Sequence, residues 1–352
     1  MDDRVPDREA TADAELAPAR WWRTEADGRV LCYLCPRLCR IGEDQAGFCY
    51  IRKNVGGALY SLAYAQPCAI QVDPIEKKPL FHFMPGSRIL SLGTAGCNMG
   101  CKFCQNWEIS KSREDQVRSV RLEPQDVPDL AFGRGCSALA YTYTEPTIWG
   151  EYVIDISRHA RAAGLRTVMV TNGYVTPEAL PDIYEWIDAA NVDLKAFTET
   201  FYKKITLTHI APVLETLQDL VKRGVWVEIT TLVIPTLNDA MDEIRELAGW
   251  IRAHLGPDWP LHLTAFHPDF KLMDLPATSH ETLHEARHVA MASGLNYVYE
   301  GNVLCEEGST TFCPRCGTAL VRRTWHRVEQ VRIRDGRCPC GQPIPGFFPD
   351  PR

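Results

Sequence analysis

No run of about 18 consecutive apolar residues occurs in this chain, so no membrane-spanning helix is expected. Positive charge is not in excess either. The 38 lysines and arginines stand against 45 aspartates and glutamates, a formal net charge of −7. That removes any whole-molecule attraction to nucleic acid, and a nucleic-acid partner is not expected. The opening stretch, "MDDRVPDREATADAELAPAR", is acidic and lacks an apolar h-region, which argues against a secretion signal and for a cytoplasmic protein. A disordered tail is expected over 1–22. No solenoid-like period is found. What is present is ordinary for a globular chain, with 45% apolar and 24% charged residues. The 352 residues are enough for one large domain with small modules.

Cysteine is the unusual component. There are 14, and they are grouped: four lie within 32–49, three within 97–104 and four within 313–340. Only Cys68, Cys136 and Cys305 stand apart. Without a secretory context such grouping points to metal or redox chemistry rather than to structural disulfides. Cys68 and Cys136 read as core residues. Cys305 reads as an ordinary thiol or, at the mouth of a barrel, as a hydrogen-atom donor or ligand.

Residues 23–86 form a Cys-rich, turn-rich N-terminal module that ends in an irregular lead-in. The charged string Asp73, Glu76, Lys77, Lys78 and His82 suggests a bridge between this lead-in and the barrel, with no chemistry assigned. Over 87–303 the pattern becomes strands alternating with helices. The strand candidates are "RILSLGTA", "ALAYTYTEP", "RTVMVTNG", "NVDLKAF", "VWVEITTLVIP", "LHLTAFHP" and "NYVYEGNV". Helical stretches between them stop at Gly164 and Gly224, and Asn238 is the expected cap of a third. Such alternation predicts an α/β fold with a parallel sheet covered by helices, as a barrel or partial barrel. Residues 304–352 read as a separate four-cysteine module. Cys313 and Cys316 pair with Cys338 and Cys340 as a zinc-ribbon-like site, with His326 or Cys305 as substitute ligands. The six arginines between the pairs (Arg322, Arg323, Arg327, Arg332, Arg334 and Arg337) read as a solvated hairpin face.

Cys32, Cys35, Cys39 and Cys49 have spacing suited to zinc or to an iron–sulfur cluster, and both remain open. Cys97, Cys101 and Cys104 come directly after the first strand of the α/β region. Three thiolates are an odd set for disulfides and one short of a closed tetrahedral site.

The C-x3-C-x2-C spacing, with aromatic Phe103 before the third cysteine, resembles the signature of radical SAM enzymes. Residues 88–300 resemble pyruvate formate-lyase activating enzymes. Nearly the whole chain resembles the radical SAM member of the AmmeMemoRadiSam system. That match rests on "CYLCPRLCRIGEDQAGFCYIRKN", "DPIEKKPLFHFMPGS", "GCNMGCKFCQNWEIS", "VDLKAF", "CPRCG" and "PIPG". The resemblance implies a partial (β/α)6 radical SAM barrel. It implies a [4Fe–4S] cluster on the three cysteines, its fourth iron chelated by S-adenosylmethionine (SAM). Thr144 and Glu145 stand where the family carries a Gly-Gly-Glu turn, although the two glycines are absent. Asn172 corresponds to a polar contact, Asp193 and Lys195 to the Asp-x-Lys pair that orients SAM, and His267 to a histidine near the ribose or adenine. Implied partners are a one-electron donor such as flavodoxin or ferredoxin, and Memo-like and AMMECR-like proteins. Three functions are compatible with these motifs: a radical SAM enzyme on a small or partner-presented substrate, an activase of a glycyl radical enzyme, and a non-catalytic iron–sulfur or zinc scaffold.

Overall fold

Eight strands make one sheet in which chain order and spatial order coincide. A computed structural model describes residues 16–349. The strands are β1 (Ala69–Pro74), β2 (Arg88–Gly93), β3 (Ala138–Tyr141), β4 (Arg166–Thr171), β5 (Ala189–Asp193), β6 (Trp226–Val233), β7 (Leu261–Ala265) and β8 (Val298–Gly301). β1 pairs antiparallel with β2, Ala69 facing Gly93 and Pro74 facing Arg88. From β2 onward every pairing is parallel. These seven parallel strands are the seven candidates read from the sequence. Every residue of β3 and β7 is buried, as expected where both faces of a parallel sheet are covered.

Among the described residues, six α-helices of five or more residues lie in the connections: α1 (Val127–Gly133), α2 (Gly150–Ala162), α3 (Leu180–Tyr184), α4 (Ala211–Lys222), α5 (Met241–His254) and α6 (His280–Ala292). Their inward stripes have helical spacing. α4 buries Val213, Leu217 and Leu220, and α5 buries Ile244, Leu247, Ala248 and Ile251. Gly164 and Gly224, just past α2 and α4, take φ of +79° and +77°, the left-handed stop that favours glycine. Asn238 does not cap α5, whose N-cap is Ala240. It is buried instead. Its side chain accepts from Ile234 N at 2.6 Å and donates to Lys195 O and Leu232 O. The unpaired backbone groups of that loop outcompete the helix end for its amide.

The N-terminal region holds two three-stranded antiparallel sheets. One joins Trp22–Thr24, Val30–Cys32 and Cys39–Ile41, and the other joins Ala17–Pro18, Ala58–Ser61 and Arg52–Val55. The tail expected over 1–22 falls outside the described residues up to position 15. From Ala17 onward the chain is ordered, because Ala17 and Pro18 pair with Ser61 and Tyr60 and Trp21 is buried. The C-terminal sheet joins Thr311–Phe312, Ala319–Thr324 and Arg327–Val331.

The lead-in string bolts these parts together. His82 lies between Pro345 O (Nδ1, 2.8 Å) and the Tyr299 hydroxyl (Nε2, 2.6 Å). Glu228 of β6 accepts from the backbone N–H groups of Phe81 and His82 and bonds His262 of β7 at 2.7 Å. Arg323 departs from the solvated face expected of the hairpin arginines. It is fully buried, donates to Phe81 O, Ser309 O and Thr311 Oγ1, and lies 3.7 Å from Glu76. Its guanidinium meets carbonyls and a carboxylate that need a donor once water is excluded.

Candidate active site

The residues after β2 turn back across the carboxyl ends of the strands, the end where α/β folds gather chemistry. Gly96 takes φ +85°. A Cβ there would lie 2.2 Å from Cys49 O, so only glycine lets this loop pass against the N-terminal module. The loop is pinned elsewhere too. Gly100 N and Lys102 N donate to Thr206 O and Ile205 O. Asn98 Nδ2 donates to Tyr174 O, and Arg37 reaches across to Asn98 O and Leu207 O.

The fold brings Cys97, Cys101 and Cys104 to one wall of a cavity of about 270 Å³. Phe103, Thr144, Glu145, Asn172, Asp193 and Lys195 line the same cavity. His267 is not in its wall. It stands exposed beside it, with Nε2 3.0 Å from Nε2 of the lining residue Gln105. A larger hollow of about 770 Å³ opens near Arg166 and Trp226, the first residues of β4 and β6. It holds no thiol and lies away from these groups.

All three cysteines are free. Burial pushes the Cys97 thiol up to about 12 and raises that of Cys101 as well. Buried thiols of this kind ionise at neutral pH when a metal replaces the proton. Their sulfurs are not among the ligand atoms that converge within 4.8 Å among the described residues, so the set is wider than one tetrahedral ion requires. A cluster of several irons suits that spread and the soft donors. Asn172 Nδ2 lies 3.9 Å from Cys97 Sγ and 2.8 Å from Asn98 Oδ1. Ser110 Oγ lies 3.0 Å from Cys104 Sγ.

Lys195 reaches Asp193 Oδ2 at 2.7 Å. Burial disfavours its charge, but Asp193 and Cys101 outweigh burial and hold the ammonium protonated well above the usual lysine range. Its Nζ lies 5.8 Å from the Phe103 ring centroid. Thr144 donates to Thr94 O. Glu145 is buried and occupied at both oxygens: Thr147 N and Thr171 Oγ1 donate to Oε1, and Asn172 N to Oε2. It ties β3 to β4 and caps the turn Pro146–Trp149.

Tyr143, Lys111, Thr230, Thr264 and Asn302 also line the cavity, and sequence reasoning missed them. Tyr143 has φ +69°, a costly conformation for a bulky residue and one that concentrates at functional sites. Its hydroxyl donates to Asp73 Oδ2 at 2.7 Å, and Lys78 pairs with the same oxygen. "YTYTEP" and "GNV" at strand ends were the available signals for Tyr143 and Asn302.

The two outer cysteine groups differ in geometry. Cys313, Cys316, Cys338 and Cys340 have sulfurs all within 4.8 Å of one another, with Cys313–Cys340 and Cys316–Cys338 both at 3.7 Å. A tetrahedron with metal–sulfur bonds of about 2.3 Å has edges of about 3.8 Å, so this set suits a single ion without His326 or Cys305. Cys32, Cys35, Cys39 and Cys49 are all free, the first, second and fourth buried. Cys32 pairs across strands with Cys39, yet the four do not converge to that single-ion size among the described residues.

A family model described as Radical SAM superfamily matches residues 91–248. The chain is 42% identical, over 332 residues, to an uncharacterized protein of Methanocaldococcus jannaschii, a match that covers 94% of this chain and 99% of that one. It is 26% identical over 204 residues to the pyruvate formate-lyase-activating enzyme of Clostridium pasteurianum, covering 53% of this chain and 83% of that enzyme. A crystal structure of a domain of pyruvate-formate lyase-activating enzyme from Bacteroides vulgatus superposes with a TM-score of 0.43 at 16% identity, over 47% of this chain and 99% of that domain.

Proposed function

The chain belongs to the radical SAM superfamily, and from that premise we propose an enzyme that holds a [4Fe–4S] cluster on Cys97, Cys101 and Cys104 and binds SAM in the adjoining cavity. One observation carries the reading. Three free thiols and the Asp193–Lys195 pair face one cavity, which no fourth thiol lines among the described residues. When bound, cluster and SAM together supply reductive cleavage to methionine and a 5′-deoxyadenosyl radical, which removes a hydrogen atom from the substrate.

The chain's own residues position and exclude. Lys195, kept charged, offers its ammonium to a carboxylate, and Asp193 fixes its direction. Asn172 and Thr144 present polar edges beside the thiols, and Phe103 gives the wall an apolar face. Glu145, with both oxygens engaged, holds the ends of β3 and β4 in register so that these contacts stay aligned. His267 serves the rim, where a ribose or base extends from the cavity.

The substrate is a small molecule or a group presented by a partner, and Memo-like and AMMECR-like proteins are the proposed partners. A flavodoxin or ferredoxin supplies the electron, and Zn2+ occupies the C-terminal four-thiol site. The wider N-terminal set suits a second cluster better than one zinc ion. A second reading, an activase of a glycyl radical enzyme, is favoured by the barrel's likeness to pyruvate formate-lyase-activating enzyme. The resemblance of nearly the whole chain, both outer cysteine groups included, to the AmmeMemoRadiSam-system enzyme favours the first.

The test is anaerobic reconstitution with iron, sulfide and a strong reductant, with 5′-deoxyadenosine then assayed. Wild type is expected to release it, and Cys101→Ala to release none. A protein with an intact cluster that leaves SAM uncleaved would favour the scaffold role and end this proposal.

A further inference from the structure

We propose a further metal site, mononuclear and distinct from the three cysteine groups, built for Zn2+ by His280, Glu300 and Cys305, on the face of β8 opposite Tyr299. Glu300 lies in β8 and its side chain is fully buried. Oε1 interacts with His284 Nδ1 at 2.9 Å. Oε2 makes no hydrogen bond. His280 Nε2 lies 3.4 Å from it, and a ring nitrogen of His280, a carboxylate oxygen of Glu300 and Cys305 Sγ lie within 4.8 Å of one another. A buried carboxylate oxygen held by no closer contact than His280 at 3.4 Å recovers little of its desolvation cost. A cation seated among the three atoms removes that cost.

The donor set selects the ion. Imidazole, carboxylate and thiolate together suit zinc, whereas magnesium and calcium take all-oxygen shells. Thiolate and carboxylate balance a divalent charge. His284 is the orienting residue rather than a ligand, because its Nδ1 faces Glu300 and its Nε2 lies 3.0 Å from His288 Nε2. His280, His284 and His288 share one face of α6 at a spacing of four residues. The backbone leaves room for the carboxylate: a Cβ on Gly308 would lie 2.7 Å from Glu300 Cδ. Gly308 N in turn donates to Cys305 Sγ at 3.2 Å and holds the sulfur in place.

The site has a structural consequence for the cavity. Cys305 stands three residues beyond Asn302, a lining residue whose Nδ2 donates to Ala265 O and whose φ is +59°. Metal on Cys305 fixes the far end of that segment. It also links α6 to the turn Glu306–Ser309, where the chain enters the C-terminal sheet. The site therefore braces one wall of the cavity from outside the barrel, whatever reaction the cavity runs.

Zinc per chain, measured by elemental analysis on full-length protein titrated with zinc sulfate and dialysed, tests this. His280→Gln changes a half-exposed side chain, and Cys305→Ser keeps a hydrogen-bond acceptor for Gly308 N, so both variants retain the fold by circular dichroism. Each is expected to hold about one equivalent less zinc than wild type, with the four-thiol site still loaded. Equal zinc in wild type and in both variants overturns the proposal. Neither result depends on SAM cleavage, so this test and the activity test fail separately.

Discussion

At the residue scale, burial decides what each ionisable group can do. Lys195 stays charged because Asp193 is 2.7 Å away and Cys101 is near. That pair was singled out in "VDLK" through the resemblance to radical SAM enzymes, and residues two apart at a strand end do share a face. His82 shows the opposite outcome. Burial pushes its imidazole down from 6.5 to about 4. The neutral ring donates from Nδ1 to Pro345 O and accepts at Nε2 from the Tyr299 hydroxyl. Its folded value lies below its unfolded one, so its contribution is complete above pH 6.5 and is lost as pH falls through 4. The difference is on the order of 3 kcal/mol. Denaturant unfolding across that window is expected to show the loss in wild type and a shallower slope in His82→Gln. Equal slopes would assign the acid sensitivity to other groups. The charged string suggested a bridge from lead-in to barrel but not these partners of His82, which lie 217 and 263 positions away.

At the scale of elements, the three-thiol loop depends on one close approach. Gly96→Ala imposes a side chain at φ +85° and pushes a Cβ to 2.2 Å from Cys49 O. Gly56 has φ +62° with nothing within 4 Å, so Gly56→Ala reports the backbone cost alone, about 1 kcal/mol or somewhat more. Gly96→Ala is expected to lower Tm further than Gly56→Ala and to lower the iron content of the reconstituted protein, measured by scanning calorimetry and iron assay. A Tm drop and iron content matching those of Gly56→Ala would mean that the two modules do not hold the loop between them. Strand–helix alternation was legible because apolar runs and glycine stops are local signals. The cap assigned to Asn238 was not, because three backbone partners away from the helix end claim its amide. The buried Arg323 was likewise hidden among exposed arginines, since its burial depends on Glu76 and Phe81 of the lead-in.

For the molecule as a whole, outer sheets before and after it in the chain brace an open run of parallel strands whose carboxyl ends line the three-thiol cavity. No helix of the described residues is long and apolar enough to cross a membrane. The N-terminal region abuts the three-thiol loop at Gly96 and Asn98, and the C-terminal region is locked under β6, β7 and β8 through His82, Glu228 and Arg323. The first attachment holds the loop that carries the three thiols, as a reaction needing close alignment requires; the second lies near the first residues of β6, β7 and β8. The central claim is that the three-thiol cluster leaves one iron open to SAM. Electron paramagnetic resonance of the anaerobically reduced protein, recorded with and without SAM, tests it most directly. Signal from any other cluster is removed by subtracting the spectrum of the Cys97, Cys101 and Cys104 to Ala variant. The account predicts a difference signal that changes shape when SAM is added; a difference signal that SAM leaves unchanged would contradict it.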